Sequence, residues 1–106
     1  MSHQITATTY DELFEIVDRL EYEHVGYGKD FGNLFESAVK SVMAMPEAYP
    51  RAFDAPRKRR NIREYFIKRF NYRLLYVVYP NEVVFIGLIH ARRRPGSWTI
   101  RLKELR

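Results

Sequence analysis

Side chains able to hold or move charge concentrate in the second half of this chain. His90 ends an apolar run and is followed by Arg92, Arg93 and Arg94, Arg73 interrupts another apolar run, and Arg59 and Arg60 close a basic tetrad that starts at Arg57. Histidine exchanges a proton near neutral pH, and the arginine fork grips phosphate or carboxylate through paired hydrogen bonds. An acid–base group among fixed cations suits two tasks: breaking a phosphodiester, or binding an anionic partner with no chemistry at all. Trp98 lies just beyond the arginines. Its indole N–H donates a hydrogen bond but cannot shuttle a proton near neutral pH, so it reads as a packing anchor. His3 and His24 stand far away with no ligand spacing around them, and neither a metal nor a cofactor is implied.

The overall charge conceals a division. Residues 1 to 50 carry three basic against nine acidic side chains, a balance of −6, whereas residues 51 to 106 carry fifteen against four, a balance of +11. Such asymmetry is the footprint of a nucleic-acid binder or of a protein matched to an acidic partner. Cysteine is absent, which excludes a disulfide scaffold, thiol catalysis and Cys-ligated zinc. With 46% apolar and 15% aromatic residues over 106 positions, a single domain with an ordered core is expected. Neither a signal-like N-terminus nor a membrane-length apolar window occurs, so a cytoplasmic protein with no membrane partner is expected.

The elements that must position these residues are legible from periodicity. Gln4 to Ala7 suits a short strand. Thr9 and Glu12 fit a helix capping box, and Tyr10, Leu13, Phe14, Val17 and Leu20 recur at helical spacing. Gly26 and Gly28 break that helix. A second helix follows, with Phe31, Leu34, Phe35, Ala38, Val42 and Met45 on one face, and Pro46 ends it. After an irregular connection to Pro56 and an exposed basic turn, three strands are predicted at Ile62 to Ile67, Tyr72 to Tyr79 and Glu82 to Ile89, the last two reversing at Pro80-Asn81. The expected fold is α+β over residues 1–106: an N-terminal strand, a two-helix hairpin and a three-stranded antiparallel meander, with the helices packed on the sheet.

This order of elements, together with Met45-Pro46-Glu47-Ala48-Tyr49-Pro50, Phe70-Asn71-Tyr72-Arg73-Leu74-Leu75-Tyr76 and His90-Ala91-Arg92-Arg93-Arg94-Pro95-Gly96-Ser97-Trp98, resembles the RelE/ParE toxin superfamily of type II toxin–antitoxin systems. The resemblance implies a toxin held silent by a cognate antitoxin, as a homodimer or a toxin–antitoxin hetero-oligomer. RelE-like members cleave mRNA on the ribosome without metal, whereas ParE-like members poison DNA gyrase by binding it. Arg73 and Arg92 match arginines that RelE-like enzymes use, and His90 would complete a ribonuclease set. The paired lysines of those enzymes are replaced by Glu64 and Phe66, and their late tyrosine by Trp98. These departures favour the ParE-like, non-catalytic reading. Arg59, Arg60, Arg73, His90, Arg92, Arg93, Arg94 and Trp98 are then candidates for binding the target or an acidic antitoxin, with ribosome-dependent mRNA cleavage as the rival activity.

Overall fold

A computed structural model describes residues 1–56 and 60–105. The elements are β1 (Ser2–Ile5), α1 (Ala7–Glu23), α2 (Tyr27–Ala44), β2 (Asn61–Ile67), β3 (Tyr72–Tyr79) and β4 (Glu82–His90), with short 3-10 turns at Lys68–Phe70 and Thr99–Glu104. The expected meander of β2, β3 and β4 is present and antiparallel. β1 is not separate from it. It pairs in parallel with β4, giving a mixed four-stranded sheet in the order β1-β4-β3-β2. The chain must climb the whole helical hairpin and return through β2 and β3 before it meets β1, a long-range pairing that no local signal announces.

Helix α1 begins one turn earlier than the Thr9–Glu12 box suggests. Thr6 is the N-cap, its Oγ1 accepting from the Thr9 N–H at 3.2 Å. Thr9 is instead fully buried inside the helix, its hydroxyl donating to the Phe85 carbonyl at 3.2 Å. Two apolar series overlap in this helix, and packing selects Leu13, Ile16 and Leu20, leaving Tyr10 and Phe14 exposed and stacked on each other. Replacing Thr6 by alanine removes the cap, and the expected loss is about 1 kcal/mol in chemical denaturation; a wild-type midpoint would show that the cap is dispensable.

The hairpin turn is held by one carboxylate. Glu21 accepts from the N–H groups of Gly26 and Gly28 at 3.0 Å each, and Gly26 takes a left-handed φ of 95°. A side chain at Gly28 would meet the Val17 carbonyl at 2.8 Å, so glycine there lets the two helices approach. In α2, Phe31, Phe35, Ala38 and Val42 are buried as expected, whereas Met45 caps the helix and is exposed.

Side chains of β3 and β4 are buried on both faces. Tyr72, Leu74, Tyr76, Val83, Phe85 and Leu88 pack beneath the helices. Leu75, Val77, Val84, Ile86 and Ile89 form a second core with Ala52 and Trp98. That second face is roofed by the 51–56 connection and the C-terminal segment instead of by helices. The connection also lines the edge of β2, where Ala52 N–H donates to the Ile62 carbonyl and Glu64 N–H to the Pro50 carbonyl. Among the described residues no helix is long and apolar enough to cross a membrane.

Candidate functional site

Arg73, the second residue of β3, points away from the helices and into the second core. Its guanidinium makes four hydrogen bonds to two carboxylates. Nη1 and Nη2 donate to the two oxygens of Asp54 at 3.1 and 2.7 Å, while Nε and Nη2 donate to Glu64 Oε1 at 3.2 and 2.8 Å. The side chains of Arg73 and Asp54 are 5% and 4% exposed, which removes both from solvent. Asp54 also accepts from the Gly96 N–H and from Trp98 Nε1, each at 2.9 Å. This one carboxylate therefore ties β3, the 51–56 connection and the C-terminal segment together.

Burial works to raise the Asp54 pKa, but hydrogen bonds from Arg73, Gly96 and Trp98, aided by the Arg73 charge, outweigh it and hold the carboxyl well below the usual range. Burial likewise works to lower the Arg73 pKa, and the bonds to Asp54 and Glu64 reverse it and push it above the ordinary arginine value. Both groups remain ionised. Two carboxylates surround one guanidinium, so the cluster carries a formal charge of −1 in place of the free cation that a phosphate requires.

His90 lies on the other side of the sheet. Neighbouring strand residues point to opposite faces, and the register pairs Tyr72 with His90 and Arg73 with Ile89. The His90 ring meets Tyr72 edge-on at 5.0 Å beneath the helices, and its Nδ1 accepts from the Arg92 N–H at 3.1 Å. A cleft of about 150 Å³ opens beside it, bordered by Glu15, Arg19, Tyr72 and Arg93. Arg19 donates to the Tyr72 hydroxyl there. Arg73 and His90, two members of the set that the rival ribonuclease reading would need, are thus separated by the sheet itself.

Arg92, Arg93 and Arg94 occupy the exposed turn after β4, and among the described residues none of them enters an ion pair. Arg60 serves the fold, its guanidinium donating to the Leu102 and Leu105 carbonyls at 2.8 and 3.4 Å. Arg59 lies outside the described residues. Trp98, 1% exposed, fills the second core. Glu64 and Phe66 project to the same face as Arg73, so the lysine positions of the RelE-like pattern hold here a carboxylate that neutralises the arginine and a half-exposed ring. Among the described residues no cluster of His, Asp and Glu of metal-binding size occurs.

Asp54 was not among the candidates read from the sequence. An aspartate in a Pro-bounded connection looks like a turn former, and only the fold brings it to Arg73, 19 positions away, and Trp98, 44 positions away. Glu12 and Arg101 were missed for the same reason. They pair across 89 positions.

Comparison with known proteins agrees with this architecture. No curated protein matches the chain. A solved structure described as the chromosomal ParDE toxin–antitoxin system from P. aeruginosa superposes with a TM-score of 0.64 at 14% identity, covering 87% of this chain and 97% of that one, a likeness of fold. The family model for the ParE toxin of the type II toxin–antitoxin system parDE matches residues 5–95. The chain belongs to the ParE toxin family of type II toxin–antitoxin systems.

Proposed function

We propose that the chain acts in the cytoplasm by binding and inhibiting DNA gyrase, without catalysis of its own, and that a cognate acidic antitoxin neutralises it. One observation carries the choice of binding over cutting: Arg73 is locked between Asp54 and Glu64, on the face of the sheet opposite His90. Metal-independent RNA cleavage needs a base, an acid and cations around one phosphate. Here the matching arginine is neutralised, the matching lysines are Glu64 and Phe66, and the indole of Trp98 is spent on Asp54.

Two surfaces suit an antitoxin. Arg92, Arg93 and Arg94 offer exposed cations to a segment rich in Asp and Glu. A groove of about 450 Å³ bordered by Ile5, Tyr10, Leu13, Phe35 and Val39 offers an apolar seat to an amphipathic helix against α1 and α2. Such a segment is disordered when free and folds on contact. Its affinity should fall as salt rises, and an affinity independent of ionic strength would count against the charge-based part of this reading.

The deciding experiment is induced expression of wild type and His90→Ala, scored for gyrase-dependent DNA breaks and for mRNA cleavage. Gyrase-linked breaks that survive the substitution are expected. Cleaved mRNA that disappears in His90→Ala would replace this reading with the ribonuclease one.

A further inference from the structure

The three arginines after β4 are strung between two fixed points. At the far end the Gly96 N–H donates to Asp54 at 2.9 Å. At the near end His90 takes two consecutive N–H groups: its carbonyl accepts from Arg93 at 2.9 Å and its ring Nδ1 from Arg92 at 3.1 Å. The intervening Ala91 N–H donates to the Asn71 carbonyl at 2.8 Å. Successive main-chain donors are thereby spent on the last residue of β4 and on the residue preceding β3.

The side-chain bond is the one that the strand does not require. A reversal closed by a carbonyl and the N–H three residues on is an ordinary β-turn, and a side-chain acceptor for the N–H two residues on is what Asn or Asp supplies in such turns. Here a histidine supplies it, and its ring is held in place. The ring meets Tyr72 edge-on at 5.0 Å, and the Tyr72 hydroxyl accepts from Arg19. With Nδ1 accepting, the neutral ring carries its proton on Nε2, which has no partner among the described residues. A proton added to Nδ1 would face the Arg92 N–H and break the bond. The basic nitrogen of His90 is therefore already engaged.

We propose that His90 is the positioning residue of the arginine turn, its Nδ1 fixing Arg92, Arg93 and Arg94 in the arrangement that the acidic antitoxin segment binds. This rests on the reading of that turn as the antitoxin's seat. The guanidinium groups supply the attraction, and the cap lowers the ordering cost of presenting them together. It also keeps Arg93 available. Glu15 borders the same cleft as Arg93 with no ion pair between them, and a turn released at Arg92 would let the two side chains meet.

Asparagine and glutamine separate the cap from the other properties of the ring. Asparagine carries Oδ1 on Cγ, where histidine carries Nδ1, whereas glutamine places its oxygen one bond farther out; both lose the aromatic contact with Tyr72, and neither titrates. The test titrates the full chain and its His90→Asn, His90→Gln and His90→Ala variants at low salt with a short synthetic oligoglutamate, and follows hydrogen exchange at the Arg92 amide. Wild type and His90→Asn should bind alike and protect that amide. His90→Gln and His90→Ala should bind roughly 5-fold more weakly, the worth of one neutral hydrogen bond, and should exchange the amide faster. Equal binding across the series overturns the proposal. So does weakening in His90→Asn to the level of His90→Gln, or an Arg92 amide that exchanges as fast in wild type as in His90→Ala. Peptide binding that survives the combined Arg92→Ala, Arg93→Ala and Arg94→Ala changes would sink the antitoxin-seat reading alone, because exchange at Arg92 across the His90 series still decides whether His90 holds the turn.

Discussion

Replacing Asp54 by alanine is expected to cost about 3–5 kcal/mol of unfolding free energy, the scale for breaking a buried ion pair by removing one partner. The carboxylate accepts two bonds from Arg73 and one each from Gly96 and Trp98, joining β3 and the C-terminal segment to the 51–56 connection. Alanine leaves Arg73 with Glu64 alone and strands the indole N–H inside the second core. Urea titration measures the loss, and a cost below about 1 kcal/mol would show that water or Glu64 replaces Asp54 at little expense.

The same group gives a pH signature. In the unfolded chain an aspartate titrates near 3.9, about its reference value, whereas the folded chain holds Asp54 well below the usual range. The folded state therefore binds fewer protons at mildly acidic pH. The stabilisation from Asp54 is complete above about pH 5 and is lost as pH falls through the folded pKa. Wild-type stability should decline steeply over that acid range, and the alanine variant should show a flatter curve. Parallel curves for the two proteins would mean that other carboxylates govern acid unfolding.

The second large effect is expected at Gly87, where no catalytic or binding role is assigned. β1 covers only the first half of β4, ending where Ile5 meets Phe85, and the remaining edge of β4 is closed by side chains. Thr9 donates to the Phe85 carbonyl, Arg101 to the Ile86 carbonyl at 3.0 Å, and the Leu88 N–H donates to Glu12 at 3.0 Å. Arg101 and Glu12 join to each other at 2.9 and 2.6 Å, so a residue of α1 and a residue of the C-terminal segment clasp around the strand edge. Closing an edge in this way prevents pairing with another chain.

A Cβ at Gly87 would stand 2.5 Å from Arg101 Nη1, so alanine must push the guanidinium out of its clasp. The expected cost is about 2 kcal/mol, the worth of charge-assisted hydrogen bonds at a partly buried site. Arg101→Ala should cost a similar amount. Because both changes break one clasp, the double variant should be barely less stable than either single one in a denaturation cycle. Full additivity would show that Gly87 and Arg101 act independently.

Periodicity located most elements because local burial patterns are written in local residues. The boundaries of β3 coincide with the apolar run from Tyr72 to Tyr79, and the buried face of α2 is the series Phe31, Phe35, Ala38 and Val42. Periodicity misjudged α1, where two apolar series compete and only contact with the sheet decides between them. It also placed Thr9 and Glu12 in a local cap. Both side chains instead reach β4, 76 positions away, as only a folded chain allows.

For the site, residue types carried part of the answer. Glu64 and Phe66 in place of lysines, and Trp98 in place of tyrosine, already weigh against RNA cleavage. The sequence by itself determined an α+β chain with a divided charge, a run of three arginines after its last strand, and a family likeness that the family model bears out. Tertiary structure decided the pairings. The alternation of side chains across β3 and β4 sends Arg73 and His90 to opposite faces, and a distant aspartate closes on Arg73. Periodicity reports which residues are buried, whereas an ion pair across 19 positions depends on where the backbone returns.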